Sequence, residues 1–183
     1  MNILRAKVAL VMLGALGTVL AGCSSPVAGT PEPNLPSTSA GAPSKPANPF
    51  AARNQCALLD QILAGQGFPQ GTPTIADRNR SCAAQKPSAG MTSGIDVAVI
   101  LQDGQPYTDN VNHPETARRG DVNGRPSIEQ PEPLNSPGQC QVGMAVEPSS
   151  RALVLVTSGS DTKAACAAAE KYATALEPLL PKS

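Results

Sequence analysis

Aromatic side chains are nearly missing from this chain of 183 residues, which holds two Phe, two Tyr and no Trp. Phe50, Phe68, Tyr107 and Tyr172 cannot form the stacking platform that single-stranded bases require. Histidine is scarcer still. His113, in Asn110-Val111-Asn112-His113-Pro114, is the only imidazole, so any His-dependent hydrolysis would have to use it. A lone His in a polar loop before Pro is ordinarily a surface residue. No G-x-S-x-G elbow offers a serine nucleophile. No C-x-x-C pair exists and no Cys lies near His113, which leaves zinc without its usual ligand spacing. Gly65-x-Gly67 has neither a third glycine nor a preceding strand, so it is not a nucleotide loop. An excess of either charge is lacking too, with 14 Lys and Arg against 14 Asp and Glu. That balance argues against nucleic acid as a partner.

The remaining letter matches are weak. Ser160-Asp161-Thr162-Lys163 has S-x-x-K spacing at a helix start, but its companion motifs are absent and capping residues explain it. Arg119-Gly120-Asp121 reads as a turn entering a hairpin rather than as an adhesion tripeptide. Asp96, Asp103, Asp109, Glu115 and Asp121 could supply a carboxylate pair for glycoside chemistry, yet nothing in the sequence sets two of them across a cleft. No catalytic residue, cofactor or metal ligand is assigned.

What the chain does carry begins at its N-terminus. Met1 to Lys7 hold Arg5 and Lys7 and no acid, and Val8 to Val19 are apolar apart from Gly14, Gly17 and Thr18. This run has signal-peptide length and is too short to span a bilayer. It closes on Leu20-Ala21-Gly22-Cys23, where a Leu and two small residues precede a thiol that can take a diacylglyceryl group before cleavage. Two or more acyl chains make a stable anchor, whereas one alone is marginal. With no Arg-Arg pair ahead of the run, the Sec route is expected. Residues 1–22 therefore read as a lipoprotein signal peptide. Residues 23–49 read as a lipidated Cys and a Pro/Ser-rich tether, and residues 50–183 as a single α+β extracytoplasmic domain. The tether holds Pro26, Pro31, Pro33, Pro36, Pro43, Pro46 and Pro49. It cannot bury a core and favours extended, polyproline-like chain, about 3.1 Å per residue. Loss of Arg5 and Lys7 would leave the mature chain mildly acidic.

Four cysteines remain after Cys23: Cys56, Cys82, Cys140 and Cys166. An even number in an exported chain implies a disulfide framework, with three connectivities open. Cys56–Cys82 and Cys140–Cys166 are preferred, because each closes a sequence-local loop. Each would stabilise by roughly 3–4 kcal/mol through the entropy it removes from the unfolded chain.

Periodicity supplies the elements. Asn54 can cap a helix from Gln55 to Ala64, with Leu58, Leu59, Ile62 and Leu63 on one face and Gly65 as its stop. A short strand is expected around Arg80 to Ala84, and another over Ile95 to Leu101, ended by Asp103-Gly104. Val122-Asn123-Gly124-Arg125 carries a hairpin turn signal, with Pro126 arguing for a sheet edge. Pro131, Pro133 and Pro137 make residues 129–138 read as loop. Cys140 to Glu147 and Arg151 to Thr157 form a second hairpin. Asp161 can cap a last helix from Thr162 to Leu176, whose Ala165, Ala169, Tyr172 and Leu176 would face a sheet. The fold class is α+β: a small antiparallel sheet with two helices packed on one face and two disulfides.

With anchor, tether and cysteines in place, the chain resembles the actinobacterial family of secreted lipoproteins that carry a domain of unknown function. The resemblance runs from about Asn48 to Pro181. It rests on Cys56-Ala57-Leu58-Leu59-Asp60, like that family's N-P-C-x-L-L-D start, then on Ser81-Cys82, Gly124-Arg125-Pro126, Cys140-Gln141-Val142 and Cys166-Ala167-Ala168-Ala169. Two departures stand out: Ala83-Ala84 follows Cys82 where many members have an aromatic, and Asn54-Gln55 precedes Cys56 in place of Pro. The resemblance implies location and disulfides, and brings no activity. The expected function is that of a non-enzymatic cell-envelope lipoprotein held on the outer face of the plasma membrane. Its expected partner is a wall component, a small ligand or an envelope protein, recognised by the Gln102 to Gln139 segment. The alternatives are an envelope hydrolase using His113 and a carrier with an apolar cavity between sheet and helices.

Overall fold

The computed structural model describes residues 48–90 and 93–182. The signal segment, Cys23 and the tether as far as residue 47 lie outside the described residues. Phe50, already buried, opens the domain. Helix α1 covers Gln55–Leu63. Its N-cap is Asn54, whose side chain accepts from the Ala57 amide at 3.0 Å, and Leu58, Leu59, Ile62 and Leu63 form its buried face. Seven strands follow: β1 Thr72–Pro73, β2 Ser81–Lys86, β3 Ile95–Asp103, β4 Arg118–Val122, β5 Arg125–Pro131, β6 Gln139–Glu147 and β7 Ser150–Ser158. Helix α2, Thr162–Leu176, closes the chain with a 3-10 turn over Glu177–Leu179. Asp161 caps α2, accepting from the Ala164 amide at 2.9 Å.

All seven strands join one antiparallel sheet in the order β1-β2-β3-β7-β6-β5-β4. Period-two alternation sorts the residues into two faces. Val97, Val99 and Leu101 of β3 stand opposite Val156, Val154 and Ala152 of β7, and Cys140, Val142 and Met144 of β6 continue the same face. Both helices cover that face. Alanines at 165, 169 and 173 are fully buried and let α2 lie close on β6 and β7. The disulfides follow the sequence-local pairing: Cys56–Cys82 ties α1 to β2, and Cys140–Cys166 ties β6 to α2, each across 26 residues.

The order of the strands imposes one long crossing. β3 sits beside β7, whereas β4 lies at the far edge, so residues 104–117 must pass β7, β6 and β5. They do so on the face away from the helices, and Arg151 holds them there. Its guanidinium donates to the Gln102 side chain at 2.6 Å, to Gln105 at 3.0 Å, and to the Pro106 and Asp109 carbonyls. Burial lowers the Arg151 pKa, and the nearby Asp109 carboxylate opposes that shift. Under this crossing, Ile128 and Leu153 are buried, so both faces of the central strands are covered.

Three sequence expectations need correction. Glu129, Gln130 and Pro131 belong to β5 and not to a loop, because all three pair with β6, and Glu129 with β4 as well. Pro126 does not place β5 at an edge. It pairs with Asp121 just before the β6 ladder begins at Ser127, where no donor is lost. Arg119-Gly120-Asp121 lies within β4, the exposed edge strand, rather than in a turn. The turn itself is Asn123-Gly124, with φ of 52° and 86°, the left-handed pair a two-residue hairpin needs. The two-residue strand β1 had no periodic signal to reveal it. At Gly138 (φ 80°) a side chain would collide with the Gly159 carbonyl, so the bend before β6 packs tightly against the one after β7.

Leu59 is fully buried beneath both the sheet and Gly71. Replacing Leu59 with Ala is expected to destabilise the domain by about 2–5 kcal/mol in urea unfolding at constant m-value. Arg151→Met is expected to speed amide exchange through residues 104–112, while β3 and β7 core amides keep their relative protection. Unchanged exchange in the crossing segment would contradict the anchoring role.

Candidate functional site

The β4–β5 hairpin flanks α2 and is hydrogen-bonded to the C-terminal end of that helix through its turn. The Asn123 side chain donates to the Thr174 carbonyl at 3.2 Å. Buried Arg125 donates to Glu177 at 3.1 Å and to the Ala145 and Pro181 carbonyls, both at 2.9 Å. Between hairpin and helix a cleft of about 370 Å³ opens, lined among others by Arg118, Val122, Asn123, Glu129, Glu170 and Thr174. A neighbouring cleft of about 340 Å³ shares Arg118 and continues past Thr162, Lys163 and Cys166 at the start of α2.

Glu129 is the chemical centre of this region. Alternation along β5 turns Ser127 and Glu129 to the helix face, where Glu129 pairs across with Val142 and is only 7% exposed. Arg118, directly opposite on β4, donates to it at 3.0 Å. The exposed Glu170 of α2 lines the same cleft, its carboxyl close enough to act on that of Glu129. Burial raises the Glu129 pKa first, and the Glu170 carboxyl adds to the rise against the pull of Arg118. Burial and the second carboxyl thus favour the protonated form of Glu129 beside a guanidinium. Glu129 also lies within 4.8 Å of the Cys140 and Cys166 sulfurs. Those sulfurs are bonded to each other, so this trio has no thiolates to offer a metal.

The residues singled out in the sequence fall elsewhere. The His113 Nδ1 lies 3.1 Å from the Glu115 carboxylate, in a left-handed backbone conformation (φ 54°). It lines a cavity of about 180 Å³ with Thr116, Pro131, Glu132 and Asn135. Glu115 is held below its ordinary pKa, first by its own backbone amide and then by His113. The Thr116 hydroxyl donates to the His113 carbonyl at 3.1 Å and so is turned to the backbone. Asp103 accepts from the Ser150 hydroxyl at 3.0 Å, a structural contact across the sheet. Ser160 and Lys163 are exposed, and Asp161 between them does the capping. Cys23 lies outside the described residues. The carboxyl pair that does form, Glu129 with Glu170, was not among the acids considered. Its signal was the Ser127-Ile128-Glu129 alternation, hidden by the prolines that follow.

Fold and site together define a small, doubly disulfide-bonded α+β domain with a charged cleft beside one of its disulfides. The chain belongs to the family described as Protein of unknown function (DUF3558), which it matches over residues 18–179. No curated protein and no solved structure matches it at significant similarity. Among the described residues, no helix is long and apolar enough to cross a membrane.

A glutamate whose pKa is raised by folding holds its proton more tightly in the native state. Its contribution is complete below the ordinary glutamate value and is lost as pH rises through the raised folded value. Thermal melts from about pH 4 to about pH 8 should therefore show a loss of stability across that window, which Glu129→Gln removes. A Glu129→Gln profile that still falls as the wild-type profile does would show that another group is responsible.

Proposed function

We propose that this chain is a secreted lipoprotein of the actinobacterial kind, non-enzymatic, and anchored to the outer face of the plasma membrane through lipidated Cys23. Its domain binds a wall component, a small ligand or an envelope protein in the cleft between the β4–β5 hairpin and α2. The anchor is supported by the apolar run ending in Leu20-Ala21-Gly22-Cys23 and by the Pro-rich segment that follows. Two disulfides suit an oxidising compartment outside the cytoplasm.

The single observation that favours binding here is the meeting of Arg118, Glu129 and Glu170 on one open volume of about 370 Å³. Charges of both signs facing a cleft select a polar ligand carrying both an amine and an acid, as the cross-linking peptides of a bacterial wall do. The lining residues on the hairpin lie inside the segment from Gln102 to Gln139, where recognition is expected. An apolar carrier fits less well, because Leu59, Val97, Val99, Val154 and Leu176 fill the space between sheet and helices. The hydrolase alternative draws on the His113–Glu115 contact, which resembles a base with its orienting acid. Among the described residues, no hydroxyl or thiol is hydrogen-bonded to the imidazole.

Metabolic labelling with a palmitate analogue should mark the wild-type protein and not Cys23→Ala, which should leave the membrane fraction. A Cys23→Ala protein that stays labelled and membrane-bound would end the anchor reading. Titration of the domain with soluble muropeptides should shift amide resonances of Arg118 to Val122 and of Glu170. Shifts gathered around His113 instead, together with muropeptide cleavage lost in His113→Ala, would favour the hydrolase.

A further inference from the structure

We propose that the Cys140–Cys166 disulfide is a thiol–disulfide exchange site for an external dithiol, attacked at Cys166 and served by Glu129 as proton donor to Cys140. The proposal stands on the placement of three groups and does not depend on the ligand-binding reading.

The two sulfurs differ in access. Cys140 is fully buried in β6, whereas half-buried Cys166 lines the cleft that it shares with Arg118, Thr162 and Lys163. Cys166 belongs to the opening turns of α2, and the cations of Arg118 and Lys163 stand at the same cleft. An incoming thiolate is drawn to such a site by its charge, and it reaches Cys166 alone. Attack at Cys166 forms a mixed disulfide with the donor sulfur, breaks the Cys140–Cys166 bond and leaves the electron pair on Cys140. A bare thiolate in the core would be costly, since nothing hydrates it. The Glu129 carboxyl lies within 4.8 Å of both sulfurs, and its burial favours the protonated form. Transfer of that proton makes Cys140 a neutral thiol, and Glu129 recovers a proton from solvent by way of exposed Glu170. The second thiol of the donor, losing its own proton to solvent, then attacks the mixed disulfide. Cys166 leaves as a thiolate and is protonated from water. Two electrons pass to the protein and the donor becomes a cyclic disulfide.

The other disulfide shares the half-buried outer cysteine, Cys56 in the first turn of α1, but among the described residues no acid stands within 4.8 Å of both its sulfurs as Glu129 does at Cys140–Cys166. Cys82 is fully buried with Gly71 packed against its sulfur, and neither Cys56 nor Cys82 lines the clefts along α2. Asp60, on the same helix as Cys56, is committed to the Gly71 amide at 2.7 Å. One disulfide is thus built as a staple and the other as a reactive bond.

The test is stepwise reduction of the native protein by dithiothreitol, with alkylation and peptide mass spectrometry to follow each disulfide separately. Cys140–Cys166 should open first. Glu129→Gln should slow that step roughly a hundredfold, at the low end of what a positioned acid contributes, and leave Cys56–Cys82 unchanged. The second disulfide is the internal control, since general loosening of the fold would speed both. In the wild type, the rate per dithiothreitol thiolate should fall as pH rises and Glu129 ionises, a readout that needs no variant. Equal rates for the two disulfides, prior opening of Cys56–Cys82, an unaffected Glu129→Gln or a flat pH profile would each overturn the proposal.

Discussion

The antiparallel seam between β3 and β7 is the contact on which the rest of the domain depends. Nine residue pairs, from Ile95 with Ser158 to Asp103 with Ser150, join segments far apart in the chain. On one side of the seam lie α1 and β2, stapled by Cys56–Cys82; on the other lie β6 and α2, stapled by Cys140–Cys166. Each disulfide removes freedom only within its own half. Neither brings the halves together. That work falls to Val97, Val99 and Leu101 meeting Val156, Val154 and Ala152, apolar surface buried under both helices. Such non-local pairing costs more chain entropy than either local loop. The staples lower the cost by making each half shorter in effect.

The seam also dictates where the charged cleft can exist. With β3 committed to β7, the chain reaches the far edge only by crossing the sheet, and the Arg151 guanidinium secures that crossing on the face the helices leave free. The β4–β5 hairpin then arrives as an addition to an already complete core. Arg125 fastens its turn end to Glu177 and to the chain end, while β4 keeps its exposed edge charged with Arg118, Arg119 and Asp121. An edge of that kind resists pairing with other chains. Between this edge and α2 a gap remains, and the cleft is that space.

The local setting of Glu129 works against stability. A carboxyl buried in the sheet interior, met by a second carboxyl and by only one guanidinium, is held in a costly place that an apolar residue would fill more cheaply. Costs of that kind gather where a protein binds or reacts. Its neighbours here are a cleft, a cation and a disulfide, which is why both the ligand-binding and the thiol-exchange proposals converge on it.

The sequence by itself determined the local features. Asn54 and Asp161 mark helix starts because a side-chain oxygen three residues ahead of an amide satisfies an otherwise orphaned donor. The apolar periods of Leu58 to Leu63 and of Ala165 to Leu176 mark buried faces, and Asn123-Gly124 marks a turn because both positions need a left-handed backbone. The short cysteine spacings pointed to the pairing that forms. Only the tertiary structure decided that residues 129–131 are strand, since prolines around them mask an alternation that neighbouring strands complete. Only it brought Glu129 to Glu170 and to the Cys140–Cys166 bond, because those contacts run across a sheet register and a helix face. No spacing along the chain encodes a meeting of that kind, for it depends on which strands lie between.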